Sequence, residues 1–260
     1  MDLQMKDRTY LVTGGSSGVG LATVQSLLEE GANVVTCARD EERLRGVIAG
    51  LPGGERVLGL AADVRNPESV TALARAAEAR FGGIDGVVNN AGNSRMKPRN
   101  EATLDDWRDE MDLKFSSVLN TVDATLPMLR RSGVGSIVNI SAVLARQPEV
   151  RLVTTSAARA GLLNLSKSLS IELAPEGIRV NSVSLGLVDT GQWRRRYEES
   201  GTSETFAEWE AEIAADRGIG LGRFGHAEEV AAMIVTLLSP RSSYVTGTSL
   251  DVCGGVARYV

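Results

Sequence analysis

The chain has 260 residues, enough for one large domain whose core needs neither disulfides nor metals to fold. Its formal net charge of −5 argues against nucleic acid binding and leaves room only for a local basic pocket, so a small molecule is the expected partner. Cys37 and Cys253 lie far apart without a metal-ligand spacing, which argues against a disulfide framework or a zinc site. No apolar run has the length of a signal peptide or a membrane span, so we expect a cytoplasmic protein that binds no membrane.

Short runs rich in Val and Ile alternate with segments of helical period along the whole chain. This alternation predicts a single α/β domain over residues 1–260, in which a doubly wound parallel sheet of the Rossmann type carries helices on both faces. Seven strands are predicted, at 8–13, 33–38, 56–61, 84–89, 136–141, 179–184 and 250–252.

Two helix boundaries and one interruption stand out between the strands. Asn66 is a typical N-cap before Pro67, and Gly82 marks the end of the same helix. The longest interruption of the pattern, 191–222, is polar and charged. Because long insertions near the carboxyl ends of parallel strands often cover ligands, we expect 191–222 to form a substrate lid.

The segment 10–20, YLVTGGSSGVG, leads from the first predicted strand into a helix, and this context favours a dinucleotide site over a glycine turn without a ligand. Gly14 permits the tight turn, Gly18 allows a pyrophosphate to approach, and Gly20 lets the helix pack on the sheet. Amide groups at the start of the helix then face the phosphates. The residues predicted to surround the pyrophosphate are Gly14, Ser16, Ser17, Gly18, Val19 and Gly20.

Further motifs follow in order: Asp63-Val64, the NNAG turn at 89–92, Ser141, the segment 186–190 and the ending Gly254-Gly255. With the glycine turn, they resemble the short-chain dehydrogenase/reductase family over nearly the whole chain. The resemblance implies an NAD(P)-dependent oxidoreductase in which Asp63 contacts adenine and Thr190 holds the nicotinamide carboxamide. The other cofactor-binding residues that it implies are Val64, Asn90, Ala91, Gly92, Arg159 and Gly186.

The end of the second strand bears on the choice between NAD and NADP. An NAD site places an acid there, which accepts hydrogen bonds from the ribose 2'-hydroxyl. Here Arg39 can pair with the 2'-phosphate of NADP, and Ser16 can donate to the same group. The alternative is that Arg39 is an ordinary solvated side chain. The sequence therefore predicts NADP(H), with NAD(H) less favoured.

The catalytic positions depart from the family pattern, which places an asparagine, a serine, and a tyrosine and lysine four apart around the reacting carbonyl. Here Ser141 is retained, but Thr155 replaces the tyrosine, Arg159 the lysine and Lys114 the asparagine. An aliphatic hydroxyl cannot release a proton at useful cost, whereas a phenol, with a pKa of about 10, can be tuned toward neutrality. Arg159 can bind ribose hydroxyls, but a permanent cation is a poor proton relay.

Lys114 is the main candidate for the missing acid. Burial and the like charge of Arg159 would lower the pKa of Lys114 and let it donate a proton near neutral pH. We hypothesise that Lys114 protonates a substrate oxygen that Ser141 positions. The alternative is that Lys114 is a solvated helix residue in a site that has lost turnover.

Three features near the predicted lid have weaker implications. Tyr197 is a second candidate to supply the missing phenol, although helical tyrosines are more often packing residues. The run 193–197, WRRRY, is either a solvated helix face or an anion-binding lid that would select a carboxylate or acyl-carrier substrate. His226 precedes AEEV and is typical of a cap or surface residue of the last helix.

The leading interpretation is an NADP-dependent oxidoreductase that acts on a carbonyl or alcohol of a small molecule. Two alternatives are an NADP(H)-binding protein without redox turnover, acting as a sensor or assembly partner, and a non-redox lyase or isomerase. The resemblance also implies a homotetramer or homodimer, assembled through 222–225 and 244–247. The identity of the substrate does not follow from the sequence, because the lid is its least patterned part.

Overall fold

A computed structural model describes residues 1–259 and contains one sheet of seven parallel strands, in the order β3-β2-β1-β4-β5-β6-β7. The predicted α/β Rossmann fold is therefore confirmed, and every predicted strand is present within two residues of its predicted bounds. The strands are β1 (Thr9–Thr13), β2 (Asn33–Ala38), β3 (Val57–Ala61), β4 (Gly86–Asn89), β5 (Ser136–Ala142), β6 (Arg179–Leu185) and β7 (Ser249–Val252).

Helices cover both faces of the sheet because successive strand residues point to opposite sides. The helices are α1 (Gly18–Glu29), α2 (Glu41–Ala49), α3 (Pro67–Phe81), α4 (Leu104–Met111), α5 (Ser117–Ser132), α6 (Val153–Leu173), α7 (Gly191–Ser200), α8 (Phe206–Arg217) and α9 (Ala227–Leu238). On β1, Leu11 packs into the hydrophobic cluster formed with α3, α5 and α6, whereas Tyr10 and Val12 pack into the cluster formed with α1 and α9.

The predicted boundaries of α3 are confirmed. The Asn66 side chain accepts hydrogen bonds from the backbone amides of Glu68 and Ser69, and Gly82 ends the helix with a φ of 84° in the left-handed region. These contacts satisfy amide and carbonyl groups that a helix leaves unpaired at its ends. The chain is thereby turned from β3 into α3 at the edge of the sheet where the cofactor site is expected.

Most of the predicted lid is helical. Helices α7 and α8 occupy 191–200 and 206–217, and their aromatic side chains pack on Phe224. The ring centroids of Trp193 and Phe224 lie 4.8 Å apart, and those of Tyr197 and Phe206 lie 5.4 Å apart. This aromatic cluster, rather than contact with the sheet, fixes the two lid helices to each other. Among residues 1–259, no helix combines the length and apolar character that crossing a membrane requires.

Candidate active site

A cleft of about 610 Å³ lies at the carboxyl ends of the strands. Its volume is within the range of about 300–1,000 Å³ that is typical of small-molecule sites. In the sheet order, β1 and β4 are neighbours at the point where the chain reverses direction across the sheet, which is where open α/β sheets bind ligands. Every residue predicted to bind the cofactor lines this cleft except Gly20.

Gly20 lies behind the cleft wall, where no other residue would fit. A Cβ atom at this position would lie 2.3 Å from the carbonyl oxygen of Gly14 and 2.4 Å from Nδ2 of Asn90. Gly14 itself has a φ of 75°, in the left-handed region. The close packing of α1 on the glycine turn is the role predicted for Gly20, and it aims the start of α1 at the cleft.

Hydrogen bonds in both directions hold the NNAG turn against Thr13 at the end of β1. Oγ1 of Thr13 accepts hydrogen bonds of 3.0 Å from the amides of Asn90 and Ala91. The Asn90 side chain donates in return to the carbonyl oxygen of Thr13 at 2.9 Å. Asn89 donates to the side chain of Asn139 on β5 at 2.8 Å. These bonds fix the wall of the cleft between β1, β4 and β5.

At the adenosine end of the cleft, Arg39 and Asp40 take different roles. Asp40 caps α2, because its side chain accepts a hydrogen bond from the amide of Arg43 at 3.0 Å. Arg39 lines the cleft with an exposed side chain. On the neighbouring strand, Asp63 pairs with Arg65 at 2.6 Å, and this bond holds the pKa of Asp63 below its ordinary value. Asp40, the acidic residue that follows β2, therefore serves as a helix cap.

Lys114 belongs to a buried polar cluster behind the wall of the cleft. Its Nζ lies 2.6 Å from Oε2 of Glu110, and Oγ1 of Thr155 donates to the same oxygen at 2.9 Å. The exposed fractions of Lys114, Glu110 and Thr155 are 3%, 2% and 0%. A π-helical turn over 112–116 follows α4 and carries Lys114, and such turns are frequently found at functional sites.

Burial lowers the pKa of Lys114 to about 8, and the positive charge of Arg159 acts in the same direction. The negative charge of Glu110 opposes both effects. Burial and the charge of Arg159 are the two causes that the sequence predicts for a lowered pKa of Lys114. The role of Lys114 as a proton donor stays a prediction. The alternative, in which Lys114 is a solvated helix residue, is wrong because its side chain is almost entirely buried.

The ammonium group of Lys114 nevertheless does not line the large cleft. It faces a small cavity behind the cleft wall, together with the polar side chains of Asn89, Ser117 and Thr121. Glu110, which the sequence reasoning missed, lines the cleft and stands in front of Lys114. The expectation that Lys114 contacts a substrate directly is therefore revised. The sequence did contain one indication of this pair. Glu110 lies four residues before Lys114, and this spacing places both side chains on one face of a helix.

Ser141 and Arg159 line the cleft beside Glu110. Oγ of Ser141 is buried and has no hydrogen-bond partner among residues 1–259, which is unusual for a buried hydroxyl and suits a group that binds a ligand. Arg159 donates from NH1 to the carbonyl oxygen of Ile140 at 2.5 Å, and burial lowers the pKa of its guanidinium to about 10. The cleft therefore presents a hydroxyl, a carboxylate and a cation at one place.

Tyr197 and His226 lie outside this group. The hydroxyl of Tyr197 donates to the carbonyl oxygen of Glu204 at 2.6 Å, and its ring packs in the aromatic cluster of the lid. Tyr197 therefore does not supply the missing phenol. His226 caps α9, as predicted, in a capping box with Glu229.

A parallel sheet with a glycine turn at its switch point and a buried serine at the end of β5 defines the class of dinucleotide-binding α/β oxidoreductases. The family model described as enoyl-(acyl carrier protein) reductase matches residues 14–257. The putative ketoacyl reductase 1 of the granaticin polyketide synthase from Streptomyces violaceoruber is 36% identical, with 96% of this chain and 93% of the relative covered. The chain belongs to the short-chain dehydrogenase/reductase family.

Two solved structures of the same family are similar over nearly the full length. One is an NADPH-bound short-chain oxidoreductase from Pseudomonas aeruginosa PAO1, described as containing an atypical catalytic center. It is 45% identical, with 98% of each chain covered and a TM-score of 0.93. The other is L-sorbose reductase from Gluconobacter frateurii in complex with NADPH and L-sorbose, 31% identical over 100% of each chain with a TM-score of 0.96.

Proposed function

We propose that this protein is an NADP(H)-dependent oxidoreductase that interconverts a carbonyl and an alcohol on a small molecule. In this proposal, the buried pair of Glu110 and Lys114 replaces the tyrosine that the family uses as its acid. The observation that supports it is a single oxygen, Oε2 of Glu110, which accepts hydrogen bonds from both Lys114 and Thr155. Glu110 lines the same cleft as Ser141, whose buried hydroxyl has no hydrogen-bond partner among residues 1–259.

The residues of the cleft fit NADP(H) at the adenosine end. Asp40 caps α2 and Arg39 lines the cleft, so the position carries a free cation for a 2'-phosphate and no free acid for a 2'-hydroxyl. Two solved relatives are described as NADPH complexes. The glycine turn before α1 would hold the pyrophosphate, and Thr190 and Gly186 would hold the nicotinamide end. Bound there, the cofactor supplies or accepts the hydride.

Three side chains then act on the reacting carbonyl. Ser141 donates a hydrogen bond to the carbonyl oxygen, and the positive charge of Arg159 stabilises the negative charge that develops on it. As the carbon gains a hydride, the oxygen gains a proton from the Glu110 carboxyl group, and Lys114 returns a proton to Glu110. The alcohol forms, and the pair has given up one proton to the product.

This mechanism has a defined dependence on pH. Reduction needs the pair in its protonated form, so its rate is highest below pH 8 and falls as the pH rises through the Lys114 pKa of about 8. Oxidation of the alcohol needs the pair to accept a proton, so its rate rises over the same interval. Replacing Lys114 by methionine removes this titration from both directions.

Glu110→Gln tests the proposal with NADPH and a panel of ketones, aldehydes and matching alcohols. Because general acid catalysis contributes about 10²–10⁴-fold, we expect kcat for reduction to fall by that factor. NADPH affinity, measured by calorimetry, should stay within about twofold because Glu110 lies away from the glycine turn. The matched control is Glu172→Gln on the exposed face of α6. Full turnover by Glu110→Gln, or NADPH binding without turnover of any compound by the wild type, would contradict the proposal.

A further inference from the structure

The cleft is basic although the protein is acidic. Its lining contains eight arginines and five carboxylates, whereas the whole chain has a formal net charge of −5. Arg39 and Arg43 stand at the adenosine end, where a phosphate of the cofactor would meet them. Other arginines lie beyond Ser141, on the side of the lid. A basic site in an acidic protein attracts anions to that place.

The carboxylates on the lid side of the cleft are already paired. Glu149 forms an ion pair with Arg217, and Asp109 lies 2.9 Å from the guanidinium of Arg95. Glu110 pairs with Lys114 behind it. None of the three carboxylates forms an ion pair with Arg195 or Arg196 of helix α7, which line the same cleft.

Helix α7 carries three consecutive arginines with different surroundings. Arg194 pairs with Asp189 at 2.5 Å and its guanidinium lies 3.5 Å from the centre of the Phe206 ring, so it fastens the lid. Arg195 and Arg196 line the cleft instead. Within residues 1–259, neither lies within 4.0 Å of a carboxylate oxygen. The run 193–197 is thus not a uniformly solvated face.

Arg196 is the better placed of the two to bind a substrate. Its guanidinium stacks on the ring of Trp193, 4.5 Å from the ring centre, and burial lowers its pKa. The positive charge of Arg217 acts in the same direction, and the negative charges of Glu199 and Glu149 oppose it. A partly desolvated guanidinium that is held on an aromatic ring and has no acceptor is prepared for a planar oxyanion.

We propose that the substrate carries a carboxylate, which Arg196 binds while the reacting carbonyl lies at Ser141. This inference rests on the proposed oxidoreductase function and specifies its substrate class. A carboxylate matches the fork of one guanidinium, with two parallel hydrogen bonds. The lid therefore selects a keto acid or hydroxy acid.

The test uses methyl ketones of increasing length that end in a carboxylate, from 3-oxobutanoate to 7-oxooctanoate. Each acid is paired with its methyl ester, and 2-oxopropylphosphonate is included as the doubly charged competitor. A charge-assisted hydrogen bond contributes about 1.5–3 kcal/mol, so we expect kcat/KM to favour the acid over the ester about 10–150-fold at the best length. That length reports the separation between Arg196 and Ser141.

Arg196→Met keeps an apolar stem on Trp193 and removes the charge. We expect it to raise KM for the acids and to abolish their preference over the esters. Arg196→Lys should restore only part of the preference, because an ammonium is not a planar fork. Arg75→Met on the exposed face of α3 removes one positive charge elsewhere and should leave the preference intact.

Binding separates this inference from the proposed function. Calorimetry with the NADP⁺-loaded protein and 4-oxopentanoate, which cannot exchange a hydride with each other, should give a Kd that Arg196→Met weakens at least tenfold. If that result holds while no ketone or alcohol is turned over, the carboxylate site stands and the redox proposal fails. If ketones are reduced but acids and esters are equivalent, if the phosphonate is preferred, or if Arg196→Met keeps the preference, the carboxylate inference is overturned.

Discussion

At the scale of single residues, burying the ion pair between Glu110 and Lys114 costs free energy. The stability of the folded protein therefore depends on keeping both partners. Both side chains are almost fully buried, and their mutual bond of 2.6 Å compensates for lost hydration. The same burial that lowers the pKa of Lys114 makes an unpaired charge at either position unfavourable. Stability and the proposed proton transfer thus depend on the same two groups.

A double-mutant cycle separates these roles. Glu110→Leu and Lys114→Met should each lower the free energy of unfolding by about 3–5 kcal/mol, because each leaves one uncompensated buried charge. The double variant should recover most of that stability, since apolar side chains of similar volume replace the pair. Urea unfolding measures the free energies, and the cofactor absorbance assay should show that the double variant still lacks turnover. Additive destabilisation would mean that the two charges are not coupled in the folded protein.

Sequence reasoning reached Lys114 but not Glu110, for a physical reason. Lys114 and Arg159 can each be seen in the sequence to replace the residue that the family has at that position. That the charge of Arg159 lowers the pKa of a nearby Lys114 follows from like-charge repulsion alone. Which neighbour shields Lys114 from the cleft depends on the rotation of α4 about its axis and on the π-helical turn after it. That rotation is set by packing against α6, which is a contact between segments distant in sequence.

At the scale of elements, the junction between β2 and α2 sets the expected cofactor preference. We predict that Arg39→Gln weakens NADPH binding about tenfold or more, because a charge-assisted hydrogen bond of about 1.5–3 kcal/mol to the 2'-phosphate is lost. NADH binding should be unchanged. Calorimetry with both nucleotides measures the two constants.

Asp40→Asn is the matched control for Arg39→Gln. Asparagine caps a helix as well as aspartate does, so α2 should remain intact and the preference for NADPH should persist. Equal losses of NADPH and NADH affinity in Arg39→Gln would place the side chain away from the 2'-phosphate and return it to the role of a solvated surface residue.

The strands of the sheet were predicted closely, whereas 191–222 was predicted as a substrate lid without its two helices. Strands β1 to β7 are short, apolar and bounded by turn residues, so local pattern suffices for them. The lid helices depend instead on rings that meet from three segments, among them Trp193, Trp209 and Phe224. One local signal was present, because Thr205 and Glu208 form a capping box at the start of α8.

At the scale of the whole molecule, apolar side chains are exposed near the segments expected to form an assembly surface. Tyr244 is fully exposed and Leu221 is 69% exposed, and both lie in or beside 222–225 and 244–247. Exposed apolar side chains mark an interaction surface where they form a contiguous patch. Assembly into a homotetramer or homodimer stays a prediction of the family resemblance.

We predict that Tyr244→Asp shifts the protein toward smaller species in sedimentation velocity at micromolar concentration, because a buried charge at an interface is unfavourable. Ala49→Asp on the exposed face of α2 introduces the same charge elsewhere and should leave the sedimentation coefficient unchanged. A monomeric wild type, or a Tyr244→Asp variant that sediments like the wild type, would remove these segments from the assembly surface.

The five positions from Glu110 to Lys114 hold both members of the buried pair, whereas the family places its tyrosine and lysine on the helix that here is α6. If proton transfer runs through this pair, the chemical role has moved from one helix to its neighbour while the backbone of the fold stayed the same. Loss of the phenol in a member of this family is then poor evidence for loss of activity, and the stretch before α5 becomes the place to look for a substitute.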